Sequence, residues 1–245
     1  MKLRDTLNTE NNYIALIDAY KTFILDDFDE IEQLKEDEMK GIQRHVYSNS
    51  KVINNIKSTI SHDQRNILLA TYSAGYPLSV FKEEYVKFVD SLVPIWFNNT
   101  GYVEMVWALS IGILLEIEQS IFDKLVDLVK KDDPEDYLID YLVSYYHKDW
   151  PIRDRFMYNK PYPLTKGIIE ADNPEDTFKL LNIYLKNKWY KGHNDMGWYN
   201  LHKKNLQNYF GYWSFESAAI CKMKGVYEAK LKDLPYFPYD LLVGE

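Results

Sequence analysis

The stretch Tyr102 to Ile117 is apolar on nearly every side, and it constrains the fold more than any other part of the chain. A helix without a polar face must be covered all round by other elements. We therefore expect it to be the central helix of the fold and the seam between two halves. The halves are an N-terminal helical region over 1–120 and a C-terminal helical region over 121–245. Its longest apolar run, Ala108 to Leu115, is too short to cross a bilayer and is a core segment, so no membrane partner is expected.

What covers that helix is expected to be other helices. In 245 residues there are only 10 Gly and 9 Pro, so turns are few, which favours long helices over many short strands. The 21 tyrosines bring large apolar bodies with one polar tip, suited to half-buried helix faces and binding surfaces. The net charge of −8 argues against a nucleic-acid partner, whose phosphates demand Lys and Arg. It is compatible with a basic protein partner, which opposite charge would steer towards it. The single cysteine, Cys221, excludes an internal disulfide and lies in an apolar stretch, as an inert buried thiol would. The opening MKLRDTLNTENN has no apolar core of a signal peptide, so a cytoplasmic protein is expected.

Helical spacing is clear from Tyr13 onward, with Leu16, Ile17, Tyr20, Ile24, Phe28 and Ile31 on one stripe. The outer face of this first helix carries eight acids between Asp26 and Glu38 against one lysine, Lys35. A second helix is expected through Ile42, Val46, Ile53, Ile56 and Ile60, and a third over Asp63–Ala74, stopped by Gly75 and Pro77. The next has Ser79 as N-cap, the stripe Phe81, Tyr85, Phe88, Val89, Leu92 and Trp96, and Pro94 to kink or end it. Asn98 to Gly101 is expected to be a loop. After the apolar helix the pattern continues through Phe122, Leu125, Val126 and Val129.

The run Asp132-Asp133-Pro134-Glu135-Asp136 recurs as Asp172-Asn173-Pro174-Glu175-Asp176. Each copy has the form of a helix start, with Asp133 or Asn173 as N-cap, the proline at the first helical position and an acid where the helix dipole favours it. Matching stripes follow (Leu138, Tyr141, Tyr145; Phe178, Leu181, Leu185), so stacked helical hairpins are expected. Trp150–Pro163 and Gly192–Gly197 have no stripe and are expected to be loops. The fold class is all-α.

Sites for chemistry are scarce. His193, Asp195 and His202 match no metal-ligand spacing, and His45, His62 and His147 are scattered. Phosphate-binding glycine loops and a nucleophile elbow are both missing from the sequence. Glu216, a carboxylate in apolar company, is the one acid that burial would tune towards general-acid work. Hydrogen bonding by Tyr or Trp explains it at lower cost, so it is expected to be a buried hub. No catalytic, cofactor or metal residues are expected.

The closing stretch YFGYWSFESAAICK with PYFPYDLL begins with five aromatics in seven residues. Together with RDTLNTENNYIALI near the start and YSAGYPLSVF at Tyr72 to Phe81, it resembles the PoNi-type immunity proteins, partners of PoNe-type DNase toxins used in bacterial competition. The likeness spans nearly the whole chain. Tyr209, Gly211, Tyr212, Trp213, Glu216, Tyr236, Pro238, Tyr239 and Asp240 carry its most specific part, expected to be structural. The resemblance implies two consecutive all-helical regions and a non-enzymatic protein that binds the basic nuclease domain of a cognate toxin. Charge density places the contact on Asp26, Asp27, Asp29, Glu30, Glu36 and Asp37, followed by Asp132, Asp133 and Asp140. Two other readings stay open here: a helical-repeat scaffold for another intracellular partner, and a metal-dependent hydrolase using Glu216 or the histidines.

Overall fold

The computed structural model describes residues 2–244, and all regular structure among them is helical. The chain divides into two compact units, the first running to Trp96 and resuming over Leu201–Gly211, the second holding Phe97–Asn200 and resuming at Tyr212. This division falls before the apolar helix. That helix draws its covering partners from the chain that follows it, and so belongs wholly to the second unit.

In the first unit, α1 (Glu10–Met39) buries Tyr13, Leu16, Ile17, Ile24, Ile31 and Leu34, and Thr9 caps its start by accepting from the Asn12 N–H. Phe28, on the expected core stripe, is instead 50% exposed. The second helix does not begin near Ile42. Residues 41–48 are irregular, Val46 is 95% exposed, and the Asn49 amide donates to the Ile42 carbonyl at 2.7 Å. Ser48 then caps α2 (Asn49–Ser73), one unbroken helix where the periodicity suggested two, because Ser61, Asp63, Gln64 and Asn66 are all buried within it. It packs against both α1 and α3 (Leu78–Leu92). α3 starts after Pro77, without a side-chain cap from Ser79, and ends two residues before Pro94; its stripe from Phe81 to Leu92 is buried, as is Trp96.

Three distant segments close this unit. The N–H groups of Arg4 and Asp5 donate to the Ser73 carbonyl at 3.0 and 3.1 Å, and the Arg4 guanidinium lies 4.7 Å over the Tyr72 ring. The Ser73 hydroxyl donates to the Phe210 carbonyl at 2.7 Å, the Tyr209 hydroxyl to Asp5, and the Asn8 amide to the carbonyls of Leu206 and Tyr209. Gly75 sits at φ +85°, and a Cβ there would come within 2.0 Å of the Lys2 carbonyl oxygen, so only glycine lets the N-terminal segment lie down.

In the second unit, α4 (Asn98–Leu114) starts earlier than expected, with a kink at Gly101, so the expected Asn98–Gly101 loop is its first turn. From Tyr102 to Leu114 every residue is buried except Glu104, which is half-buried. α5 (Gln119–Asp132), α6 (Tyr137–Val143) and α11 (Phe215–Lys224) pack on it. α7 (Leu164–Glu170) lies against α6, α8 (Pro174–Ile183) and α11. The segment continues from α8 through a π-helical turn, Tyr184–Trp189, into α9 (Tyr190–Gly192). The short α10 (Leu201–Lys204) belongs to the first unit, and α12 (Tyr239–Val243) packs on α11.

The two copies of the proline-containing acidic run differ. Asn173 caps α8 by accepting from the Asp176 N–H, with Pro174 opening the helix. Asp133 adopts a left-handed conformation that ends α5, and Asp136 is the cap of α6, accepting from the Leu138 and Ile139 N–H groups at 3.0 Å. Similar sequence therefore gives two different joints and not two matching hairpins.

Candidate functional site

The acids named from charge density separate into exposed and structural groups. Asp26, Asp29, Glu30 and Glu36 are exposed on α1, and Asp26 and Asp29 take no ion pair among the described residues. Glu36 pairs with Lys40 at 3.3 Å, and Glu32 with Lys35 at 2.6 Å, both in solvent where such pairs contribute little. Asp27 is half-buried, and its carboxyl is pushed up by desolvation and then by Asp63, Glu30 and Asp26. Asp37 presents no charge outward. It is 1% exposed, with Arg44 Nε 2.5 Å from one oxygen and Arg44 Nη2 donating to the other at 3.0 Å.

The acids of the second unit are also engaged. Asp132 accepts from the Asn98 N–H at the start of α4, supplying the cap that Phe97 cannot. Asp133 pairs with Arg153. Asp140 is fully buried and accepts from the Trp150 indole at 2.8 Å, the Arg153 N–H at 3.0 Å, and Arg153 Nε and Nη2 at 2.8 Å each. Such a fork holds the 150–155 loop to α6 and leaves Asp140 no surface to offer. Asp136, which charge density did not single out, is equally buried, accepting in addition from the Met157 N–H and the Tyr102 hydroxyl; burial is the main force pushing its carboxyl up.

Glu216 is fully buried at the start of α11. One oxygen accepts from Trp189 Nε1 and Ser214 Oγ at 2.7 Å and from Tyr184 Oη at 3.2 Å, while the other has no partner. Tyr184 and Trp189 are five residues apart, a spacing that an α-helix would splay around its axis. The wider π-helical turn between them puts both donors on one face, where Glu216 receives them. Burial raises the Glu216 carboxyl and holds the hydroxyls of Tyr102, Tyr162 and Tyr184 well above their usual range. Trp189 stacks on Trp198 at 5.9 Å and packs on Tyr236 at 5.0 Å.

His193 is no ordinary loop residue, being 2% exposed inside this aromatic shell. Its Nδ1 lies 2.7 Å from the Trp189 carbonyl, which can only accept, so Nδ1 carries the proton and Nε2 accepts from the Tyr162 hydroxyl at 2.8 Å. Burial lowers it from 6.5 to about 4, so the ring is neutral. Asp195 is exposed near Lys160, and His202 lies against the Tyr209 ring in the first unit. Among the described residues there is no group of three or more His, Cys, Asp or Glu able to hold a metal, and no helix long and apolar enough to cross a membrane.

The aromatic motif changes unit midway. Tyr209 and Gly211 lie in the first and Tyr212 onward in the second. The Tyr212 hydroxyl donates to the Trp198 carbonyl, Trp213 is buried, and the Ser214 N–H donates to the carbonyl of Tyr236, whose φ is +63°. Pro238 precedes α12, with Tyr239 and Asp240 half-buried in its first turn. Cys221 is buried in α11 and its thiol is pushed up to about 12.

A feature that periodicity did not reveal lies in the first unit: a groove of about 620 Å³ lined by Ile24, Leu25 and Phe28 of α1, Ile60 of α2 and residues of α3. Its signal in the sequence was the pair Leu25 and Phe28, apolar residues one turn apart at the start of the acidic run.

A family model described as PoNe immunity protein (PoNi), N-terminal, matches residues 4–127, and one for the C-terminal part of PoNe immunity proteins (PoNi) matches residues 134–241. No curated protein matches the chain. Among solved structures, the crystal structure of protein PA2201 from Pseudomonas aeruginosa resembles it with a TM-score of 0.66, over 99% of this chain and 98% of that one. At 15% identity the likeness is one of fold.

Proposed function

The chain belongs to the family of PoNe immunity proteins (PoNi), and on that premise we propose that it binds a cognate PoNe-type DNase toxin and blocks it in the cytoplasm of the producing cell. The observation that carries this reading is the pair of family matches, which together reach from residue 4 to residue 241. The charge distribution supports it. A nuclease that holds a polyanion is commonly basic around its active site, and an inhibitor with net charge −8 and unpaired acids on α1 is steered to such a surface. A non-enzymatic role fits the placement of the candidate chemistry, because Glu216 and His193 are sealed in a packed aromatic shell and held by structural donors and acceptors.

The contact surface in this reading is the exposed part of α1, Asp26, Asp29, Glu30 and Glu36, since Asp37 and Asp140 are enclosed by the fold. Reversing those four exposed acids to Lys should slow association with the purified nuclease domain by roughly tenfold or more and flatten its salt dependence. Growth rescue on co-expression with the toxin should weaken in parallel. Unchanged association rate and salt slope would exclude this face, and absence of any binding by the wild-type protein would remove the immunity reading.

A further inference from the structure

The groove of the first unit has a mixed character that restricts what it can take. Ile24, Ile60 and Gln64 in its lining are buried, whereas Leu25 and Phe28 stand 66% and 50% exposed at its edge. Two large apolar side chains left in water one turn apart mark a contact surface more than a random exposure. Opposite them, α3 supplies Lys87, Asp90 and Ser91, with Pro94 beyond its end.

The exposed edge of α1 beside this groove carries a row of acids, two of them, Glu32 and Glu36, paired with nearby lysines. Lys87 and Lys21 lie 2.9 and 3.8 Å from Glu84, a buried carboxylate that both share and whose single charge offsets one of them. On α1, Asp18, Asp29, Glu32 and Glu36 fall on the same exposed strip as Leu25, at whole-turn spacing. Asp18 and Asp29 take no ion pair among the described residues. Lys57 is the lining cation that likewise has no acid partner there.

We infer that this groove receives an apolar anchor carried on a basic amphipathic helix of the toxin partner, with the apolar stripe of that helix on Leu25, Phe28 and Ile60. Its flanking Lys or Arg side chains meet Asp29 and Glu32. Helix-in-groove recognition needs this combination: an apolar floor between parallel ridges, and a charged rim that fixes orientation. The inference rests on the reading of this chain as a toxin-binding immunity protein, and names where and how that binding occurs.

The test uses the full-length protein and the purified nuclease domain of the toxin encoded with it, by titration calorimetry and stopped-flow association. Leu25→Ser/Phe28→Ser removes the anchor site at two exposed positions, so circular dichroism and Tm should stay as in the wild type. Affinity should fall roughly 100-fold, as loss of central apolar contacts does at other interfaces. Asp29→Lys should slow association, whereas Lys57→Glu, which makes the groove more acidic, should accelerate it. A double variant that folds and binds within about threefold of the wild type overturns the inference while leaving the immunity reading intact. Sedimentation showing that the wild-type chain self-associates, and that the double variant does not, would assign the groove to a second copy and also overturn it. Failure of the wild type to bind the nuclease at all would overturn both.

Discussion

Replacing Glu216 by Ala removes the acceptor shared by Trp189, Ser214 and Tyr184, all buried. Ser214 keeps Ser217 as a partner at 2.7 Å, whereas Trp189 and Tyr184 are left without one at about 1–3 kcal/mol each, and the truncated side chain leaves a void as well. Even at the low end the loss should be about 3 kcal/mol, a large share of the roughly 5–15 kcal/mol by which domains are stable. Glu216→Gln keeps the accepting oxygen and should lose only about 1 kcal/mol. The two variants also separate by pH. Burial raises the Glu216 carboxyl above its ordinary 4.5, so in the folded protein it keeps its proton at pH values where the unfolded chain has released it. Wild-type stability from this group is full below 4.5 and falls as pH climbs to the folded-state value, whereas glutamine cannot ionise. The advantage of the wild type over Glu216→Gln should therefore narrow with rising pH. Urea unfolding followed by tryptophan fluorescence from pH 4 to 9 measures all of this. A Glu216→Ala protein within about 1 kcal/mol of the wild type, or one that is stable yet no longer neutralises the toxin, would refute the structural role.

His193 gives the opposite pH trend: lowered from 6.5 to about 4, it stays neutral in the fold while the unfolded chain takes up a proton, so stability should drop by roughly 3 kcal/mol as pH falls across that window. In His193→Gln the acid slope between pH 6.5 and 4 should be shallower, and an unchanged slope would assign it to other groups. Gly75→Ala combines about 1–2 kcal/mol of left-handed strain with a Cβ that meets the Lys2 carbonyl, so Tm should fall and the Arg4 and Asp5 amides should exchange faster. Unaltered protection of those two amides would show that the N-terminal segment is not held through this close approach.

Long, strongly periodic elements were legible from residues alone. The α3 stripe and the all-round apolar α4 allow no other placement, because neither can leave its face in water. Spacing failed where hydrogen bonds outweigh it. Ile42 and Val46 continue a helical period yet lie in an irregular segment, since Asn49 and Ser48 bind backbone there and restart the chain as α2. Ser61 to Asn66 look like an interruption by polarity, but all of their side chains except that of His62 are buried, Gln64 bonded to Glu84 and Arg65 to Asn66. Charge density likewise could not tell Asp26 from Asp37, because the difference is made by Arg44, seven residues further on and outside the helix. Asp140 is separated from the solvent by Arg153 and Trp150 in a loop whose return has no periodic signal. The groove was hidden for a related reason: Phe28 fits the core stripe by number, and only the absence of a neighbour over it reveals an open face.

The first unit cannot be finished until the end of the chain is nearly made. Its closing segment, Leu201–Gly211, follows more than a hundred residues that belong to the other unit. During synthesis Ser73, Asp5 and Asn8 wait for Phe210, Tyr209 and Leu206 while the whole of α4 to α9 emerges. A boundary drawn where the two family matches meet, between residues 127 and 134, would leave the first unit without those partners. Folding here is therefore not a matter of one half and then the next: a nascent chain gains its full N-terminal stability only once residue 211 has cleared the ribosome.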